Sequence, residues 1–210
     1  MAITLDVLAG AIARANASMT RLADGLNAAD ARLGDGDTGT MLARLIGAFA
    51  DTDLREAETL GAGFMALARA GAASTGSSLG TLIVTGMMTA GKASAGRTEI
   101  AWYELSPLLA AIRDAAMARG KAELGAKTII DGLDALVHGL EGKSDAQGVA
   151  VAAMEAMDTV LTEFRQRPSA MGRARMFAEK SIGLDDPGML ALAKIVRCLA
   201  APQHDEAPLA

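Results

Sequence analysis

Leu5, Leu8, Ile12, Ala15, Met19, Leu22 and Leu26 recur at spacings of three and four, which places them on one face of a long helix. Thr4 stands where its N-cap belongs. Leu42, Leu45, Ile46 and Phe49 keep the same spacing and predict a second helix that begins within "DTGTM", residues 37–41. Further helical patterns run over 54–71, 76–91, 105–119, 126–140, 147–165, 169–180 and 187–200, separated by Gly, Pro or Asp-rich breaks. No strand pattern competes, although β-branching leaves "TLIVTG" ambiguous. So many helices, with few aromatics and abundant Ala, Gly and Met, predict an all-α bundle or barrel whose helices approach closely. The expected organisation is one helical domain over 1–200 and a flexible tail, "APQHDEAPLA", over 201–210.

Composition narrows the partners. With 210 residues, 51% of them apolar, the chain can bury one sizeable core. A net charge of −5, and no run of Lys and Arg interleaved with aromatics, leave no nucleic-acid footprint. The single cysteine, Cys198, allows no internal disulfide, and "MAITLDVLAG" lacks a basic segment ahead of its apolar residues, so a cytoplasmic location is expected. The most apolar segment, "LGTLIVTGMM", is about half the ~20 residues that cross a bilayer. It reads as core, and no membrane partner is expected.

The segment "LGDGDTGTM", residues 33–41, concentrates carboxylates and glycines at a helix start, where an anion is normally favoured. Asp30 stands at the end of the first helix and Asp35 and Asp37 follow in the loop, while Gly34, Gly36 and Gly39 permit backbone conformations that side chains forbid. Three such carboxylates can converge, and a proton or a cation must then relieve their repulsion. Hard oxygen donors suit Mg²⁺, which commonly bridges one or two carboxylates to phosphate oxygens. The N–H groups and hydroxyls of Thr38 and Thr40 open the next helix, whose dipole favours a phosphate. A metal-bridged phosphate site reconciles the acids with the anion. The competing reading gives Asp35 and Asp37 capping and turn roles with no ligand. An EF-hand does not fit, because counting from Asp35 puts Thr40 and Ile46 where a calcium loop needs Gly and Glu.

Preceded by Asp30, "GDGDTGTM" resembles the metal- and nucleotide-binding signature of the dihydroxyacetone kinase L subunit family, which also occurs as the nucleotide-binding domain of single-chain dihydroxyacetone kinases. "GAASTGSSLGT" at 71–81, "RGKAELGAKTIIDGL" at 119–133 and "GRARMFAEKSIGLDDPG" at 172–188 follow in the family's order. The resemblance implies an all-α antiparallel barrel of about eight amphipathic helices, with ADP or ATP and two Mg²⁺ held at one end. It implies Asp30, Asp35 and Asp37 as metal ligands, and Thr38, Gly39, Thr40 and Met41 as the residues that meet the phosphates. Ser74, Thr75 and Gly76 resemble the family's second hydroxyl-bearing turn against a phosphate. Exposed N–H groups ahead of the apolar "LGTLIV" run can open a second anion-binding helix, which agrees with that role. Gly120 and Ile129 match positions that line the base or ribose. Arg173 offers a fork of donors to phosphate oxygens, and Asp186, Pro187 and Gly188 match a turn beside the nucleotide. Read without the resemblance, Ile129 is ordinary core and Arg173 an ordinary surface cation.

Departures from the family pattern leave the substrate and the phosphoryl source open: Thr38 replaces a frequent His, Ala126 a common Asp, Lys180 a frequent Arg and Leu184 a frequent His. None removes a metal ligand. No general base is evident, since His138 follows an apolar helix segment and reads as structural, while His204 lies in the tail. A Ser/His/Asp hydrolase therefore has no support. The resemblance implies that a separate K-type ketose-binding subunit holds the ketose covalently on a histidine. A phosphohistidine M subunit of a phosphotransferase system would then rephosphorylate bound ADP in place, the arrangement expected of a free-standing L chain. An ATP-dependent split kinase for a three- or four-carbon ketose, a regulatory nucleotide-binding module and a purely structural helical domain are the other readings. The last predicts no metal-dependent nucleotide binding.

Overall fold

Side-chain caps fix most of the helix starts in the computed structural model, which describes residues 2–200. Thr4 Oγ1 accepts the Val7 N–H at 3.4 Å and opens α1 (Leu5–Asp30), and α2 (Thr38–Ala50) begins within the segment that the sequence indicated. Thr59 caps α3 (Leu60–Ser74), Ser77 caps α4 (Ser78–Ala93), and α5 (Leu105–Gly120) continues from a short 3-10 turn at Trp102–Glu104. Thr128 and Asp131 form a reciprocal capping box on α6 (Ile129–Gly139), and Asp145 caps α7 (Ala146–Arg165). Asp186 accepts the Met189 N–H at 2.8 Å and caps α8 (Pro187–Ala200).

These caps also explain where the periodic patterns overran. The pattern over 54–71 contains a separate 3-10 turn at Leu54–Glu56, because Thr59 starts α3 afresh. The pattern over 126–140 becomes helix only after Thr128. Over 169–180 no α-helix forms, and 3-10 turns at Arg173–Phe177 and Glu179–Ser181 follow a left-handed Gly172 (φ 65°). "TLIVTG" is helical, and the Thr81, Thr85 and Thr89 hydroxyls each donate to the carbonyl four residues back. Two strands, β1 (Ala2–Thr4) and β2 (Glu99–Ala101), pair antiparallel with Ile3 opposite Ile100. Three residues are too few to display alternation in the sequence. The expected tail over 201–210, with His204, lies outside the described residues.

Each helix packs on its chain neighbours, and α1 packs on α8, so the eight α-helices of the described residues close a ring. A connection reverses the chain at every step, the longest of them over 166–186. Leu45, Leu60, Leu67 and Met157 are fully buried between the helices, and each stabilises the fold by roughly 1.5–3 kcal/mol. An apolar cavity of about 300 Å³ remains inside the ring, lined among others by Leu8, Leu45, Leu82, Ile112 and Leu192. No helix of the described residues is long and apolar enough to cross a membrane.

The alternation of helix direction decides which connections share an end of the ring. The connections α1–α2, α3–α4, α5–α6 and α7–α8 all lie at one end, and the N-termini of α2, α4, α6 and α8 therefore gather there. A Cβ on Gly188, at the start of α8, would lie 3.6 Å from the Cβ of Ile129 and 3.7 Å from Leu79 Cδ1, which belong to the starts of α6 and α4. β1, β2 and the α2–α3 and α6–α7 connections occupy the opposite end, where the Leu60 N–H donates to the Arg97 carbonyl at 2.7 Å.

Candidate functional site

One carboxyl oxygen each from Asp30, Asp35 and Asp37 can be chosen so that all three lie within 4.8 Å of one another. Asp30 is buried and the other two are exposed. Oδ2 of Asp30 accepts the N–H groups of Asp37 at 3.0 Å and Thr38 at 3.2 Å, which seats the first turn of α2 on the last turn of α1. Asn27, three residues earlier on α1, repeats the device: its Oδ1 accepts the Thr40 N–H at 3.1 Å and its Nδ2 donates to Thr40 Oγ1 at 2.9 Å. Two glycines make room. A Cβ at Gly34 would overlap Asp30 Oδ1, and one at Gly39 would overlap the Ala23 carbonyl.

The donor set fits a hard divalent cation. It consists of oxygen alone, it leaves Asp30 Oδ1 and the Asp37 carboxyl open to a ligand, and no side chain caps α2 from Asp37. Arg173 reaches from the long 166–186 connection to pair with Asp35, so one cation already answers the acids. Of the N–H groups expected at the phosphates, those of Thr38, Thr40 and Met41 are bonded to Asp30, Asn27 and the Asp37 carbonyl. What the segment offers outward is the exposed Thr40 and the metal-ready carboxylates beside it.

Ser74 ends α3, where its hydroxyl donates to the Gly71 carbonyl at 3.1 Å, and Thr75 and Ser77 link it to α4. Ser77 Oγ takes the Gly80 N–H at 2.9 Å, so this helix start is capped by its own chain, and Gly76 faces open space. Gly120 ends α5 with Leu82 of α4 near by, while Ile129 and Gly188 face each other across the starts of α6 and α8. The residues singled out in the sequence thus lie on four connections at one end. His138 is exposed on α6 beside Glu141 at 3.3 Å, close to the opposite end of the ring.

Asp186 is electrostatically displaced. Loss of solvation raises its carboxyl from 3.8 to about 6, opposed by N–H bonds from Met189 and Gly188 and by the Lys127 ammonium, and helped by the Asp131 carboxylate. The folded chain holds this proton more tightly than the unfolded chain does. The resulting penalty is absent below about pH 4, grows up to about pH 6 and is complete above it, on the order of 3 kcal/mol. Wild type is therefore expected to lose stability relative to Asp186→Asn as pH rises from about 4 to 7. Parallel denaturation curves for the two proteins across that range would remove this account.

Three contributors escaped the sequence reading. Asn27 carried a faint signal, because it precedes Asp30 by three residues and so shares its helix face. Asp131 was legible as the fourth position of a Thr128-x-x-Asp131 capping box; its carboxylate also accepts the Gly125 N–H at 2.5 Å and the Thr128 N–H at 2.8 Å. Lys127, fully buried at 1% exposure, gave no signal at all.

An antiparallel ring of eight helices among the described residues, with an acid cluster at the end where helix N-termini gather, defines the class: an all-α helical barrel. Residues 32–201 match the DAK2 domain family, and the chain belongs to that family. It is 30% identical over 131 residues to the ADP-binding subunit DhaL of the PEP-dependent dihydroxyacetone kinase of Escherichia coli (strain K12), over 60% of this chain and 62% of that one. The native dihydroxyacetone kinase of C. freundii superimposes with a TM-score of 0.73 at 25% identity, over 93% of this chain and 34% of the kinase. The same enzyme in complex with AMP-PNP and Mg²⁺ gives 0.67 at 24% identity, over 95% of this chain and 34% of the kinase, a likeness of fold. The chain thus spans about three fifths of the curated relative and a third of the solved kinase.

Proposed function

We propose that this chain is the nucleotide- and Mg²⁺-binding subunit of a short-chain ketose kinase. The observation that carries the reading is the convergence of Asp30, Asp35 and Asp37 at the end of the ring that also gathers Thr38–Met41, Ser74–Gly76, Gly120, Ile129, Arg173 and Asp186–Gly188. Bound Mg²⁺, two ions in the family pattern, would neutralise the acids and polarise phosphate oxygens. Asp30, Asp35 and Asp37 hold the metal, with Asp30 oriented by the two N–H groups that it accepts. Thr38 through Met41 and the Ser74–Gly76 turn would border the phosphates, and the guanidinium of Arg173, which pairs with Asp35, would offer a planar fork to their oxygens. Gly120, Ile129, Pro187 and Gly188 form the apolar wall against base and ribose. Positioning and charge neutralisation are what phosphoryl transfer chiefly asks of a protein.

No histidine of the described residues stands at the site, so the ketose and the base that activates its hydroxyl come from a K-type partner. Similarity to an ADP-binding subunit of a PEP-dependent kinase favours ADP as a retained cofactor, rephosphorylated by a phosphohistidine M subunit in the cytoplasm. The test is the nucleotide and magnesium content of freshly purified, denatured protein. Near-stoichiometric ADP that survives dialysis and leaves with the metal on chelation is expected. Protein that arrives empty and binds ATP only with Mg²⁺ would replace the retained cofactor by an exchanging substrate, and protein that binds neither would end the kinase reading.

A further inference from the structure

We propose that Lys127 is a positioning residue of the nucleotide site, acting on the phosphates through the 166–186 connection without touching them. This rests on the nucleotide-binding reading above. Lys127 is held at φ 59°, a left-handed conformation uncommon for a residue with a side chain, and its ammonium is withdrawn from water. Nζ donates to three carbonyls, Arg165 at 3.2 Å, Arg167 at 2.8 Å and Ser181 at 2.7 Å. Two of these are carbonyls left over where α7 ends, and the third lies beyond Arg173 in the connection. One tetrahedral ammonium thereby clamps both ends of a segment that has no α-helix of its own to fix it.

The segment is joined to the same point by its backbone. The Ala170 N–H donates to the Ala126 carbonyl at 3.0 Å, and the Gly183 N–H shares the Arg165 carbonyl at 2.8 Å. Ser181, fully buried, accepts the Ser169 N–H at 2.7 Å. Arg173 and the Asp186–Gly188 turn are therefore carried on a loop whose shape is set by Lys127, while Ile129, two residues along, stands at the apolar wall. The lysine ties the wall for the base to the clamp for the phosphates. Three diverging N–H bonds suit an ammonium; a planar guanidinium cannot reach all three carbonyls.

Isothermal titration with ADP and Mg²⁺ tests this in the full chain. Lys127→Ala is expected to bind at least tenfold more weakly, with helical circular dichroism retained and faster tryptic cleavage at Arg173, Arg175 or Lys180. Propylammonium, which replaces the missing three carbons and nitrogen, is expected to restore most of the affinity to Lys127→Ala and to leave wild type unchanged. In an Arg173→Ala background the Lys127 substitution is expected to cost clearly less than in wild type, because the phosphate contact it positions has gone and only the Asp186–Gly188 turn remains to be displaced. If Lys127→Ala does not fold, Lys127→Arg takes its place in the same cycle. Unchanged affinity in the variant, or equal losses with and without Arg173, would overturn the proposal. Wild type that binds no ADP with Mg²⁺ would instead overturn the nucleotide reading itself.

Discussion

Asp37→Asn is expected to weaken Mg²⁺-dependent ADP binding by about 100-fold or more, since even residues that merely orient metal ligands are worth 10–100-fold. The choice of residue matters. Asp30 caps α2 and Asp35 pairs with Arg173, whereas the Asp37 side chain makes no cap bond, so its loss changes charge and ligand count with the least disturbance of the fold. On the proposed function the acids meet phosphate only through the cation, so metal and nucleotide affinity should fall together. Stability should move oppositely in two buffers. With chelator, removing one of three crowded negative charges raises the melting temperature slightly; with Mg²⁺ and ADP in excess, the lost ligand lowers it relative to wild type. Calorimetry in both buffers reads the pair of signs, and a variant that keeps wild-type ADP affinity with its fold intact would sink the metal-bridge account.

Gly39→Ala is expected to produce a large stability loss for the addition of a single methyl group. The new Cβ would overlap the Ala23 carbonyl, a backbone atom inside α1 that cannot swing aside. Overpacking of this kind costs roughly 1–3 kcal/mol, or about 2–12 °C in melting temperature for a chain of this size. The seam it forces open is the one that seats Thr38 and Thr40 on Asp30 and Asn27, so metal affinity should drop as well. Gly47→Ala is the control, because its Cβ meets nothing within 4 Å in the last turn of α2. That change should stabilise by about 0.4–1 kcal/mol. Equal melting temperatures for the two variants would show that the α1–α2 contact tolerates expansion.

Helices with an uninterrupted apolar stripe, such as α1 and α2, were legible in the sequence almost to the residue, because one cap and one period determine them. The segment over 169–180 was not, since its conformation is decided by carbonyl groups bound to Lys127, some forty to fifty residues distant in sequence. No local pattern records such a partner. The site divides along the same line. The acid cluster was visible because like charges packed around glycines require an explanation within nine residues of chain, and the geometry supplies the expected convergence. The pairing of Arg173 with Asp35 and the fastening of Thr40 by Asn27 depend on which helix ends meet, and that becomes readable only once the ring is closed.

Alternating helix direction has a consequence for building with this domain. α1 starts and α8 finishes at the end away from the acids, roughly 20 Å or more from the mouth by the length of the shorter helix, 14 residues. A fluorescent protein or affinity handle joined directly ahead of α1 or directly after α8 would therefore stand behind the ring and leave the acid end clear. A handle inserted after Asp35, Gly76 or Glu123 would stand at that end.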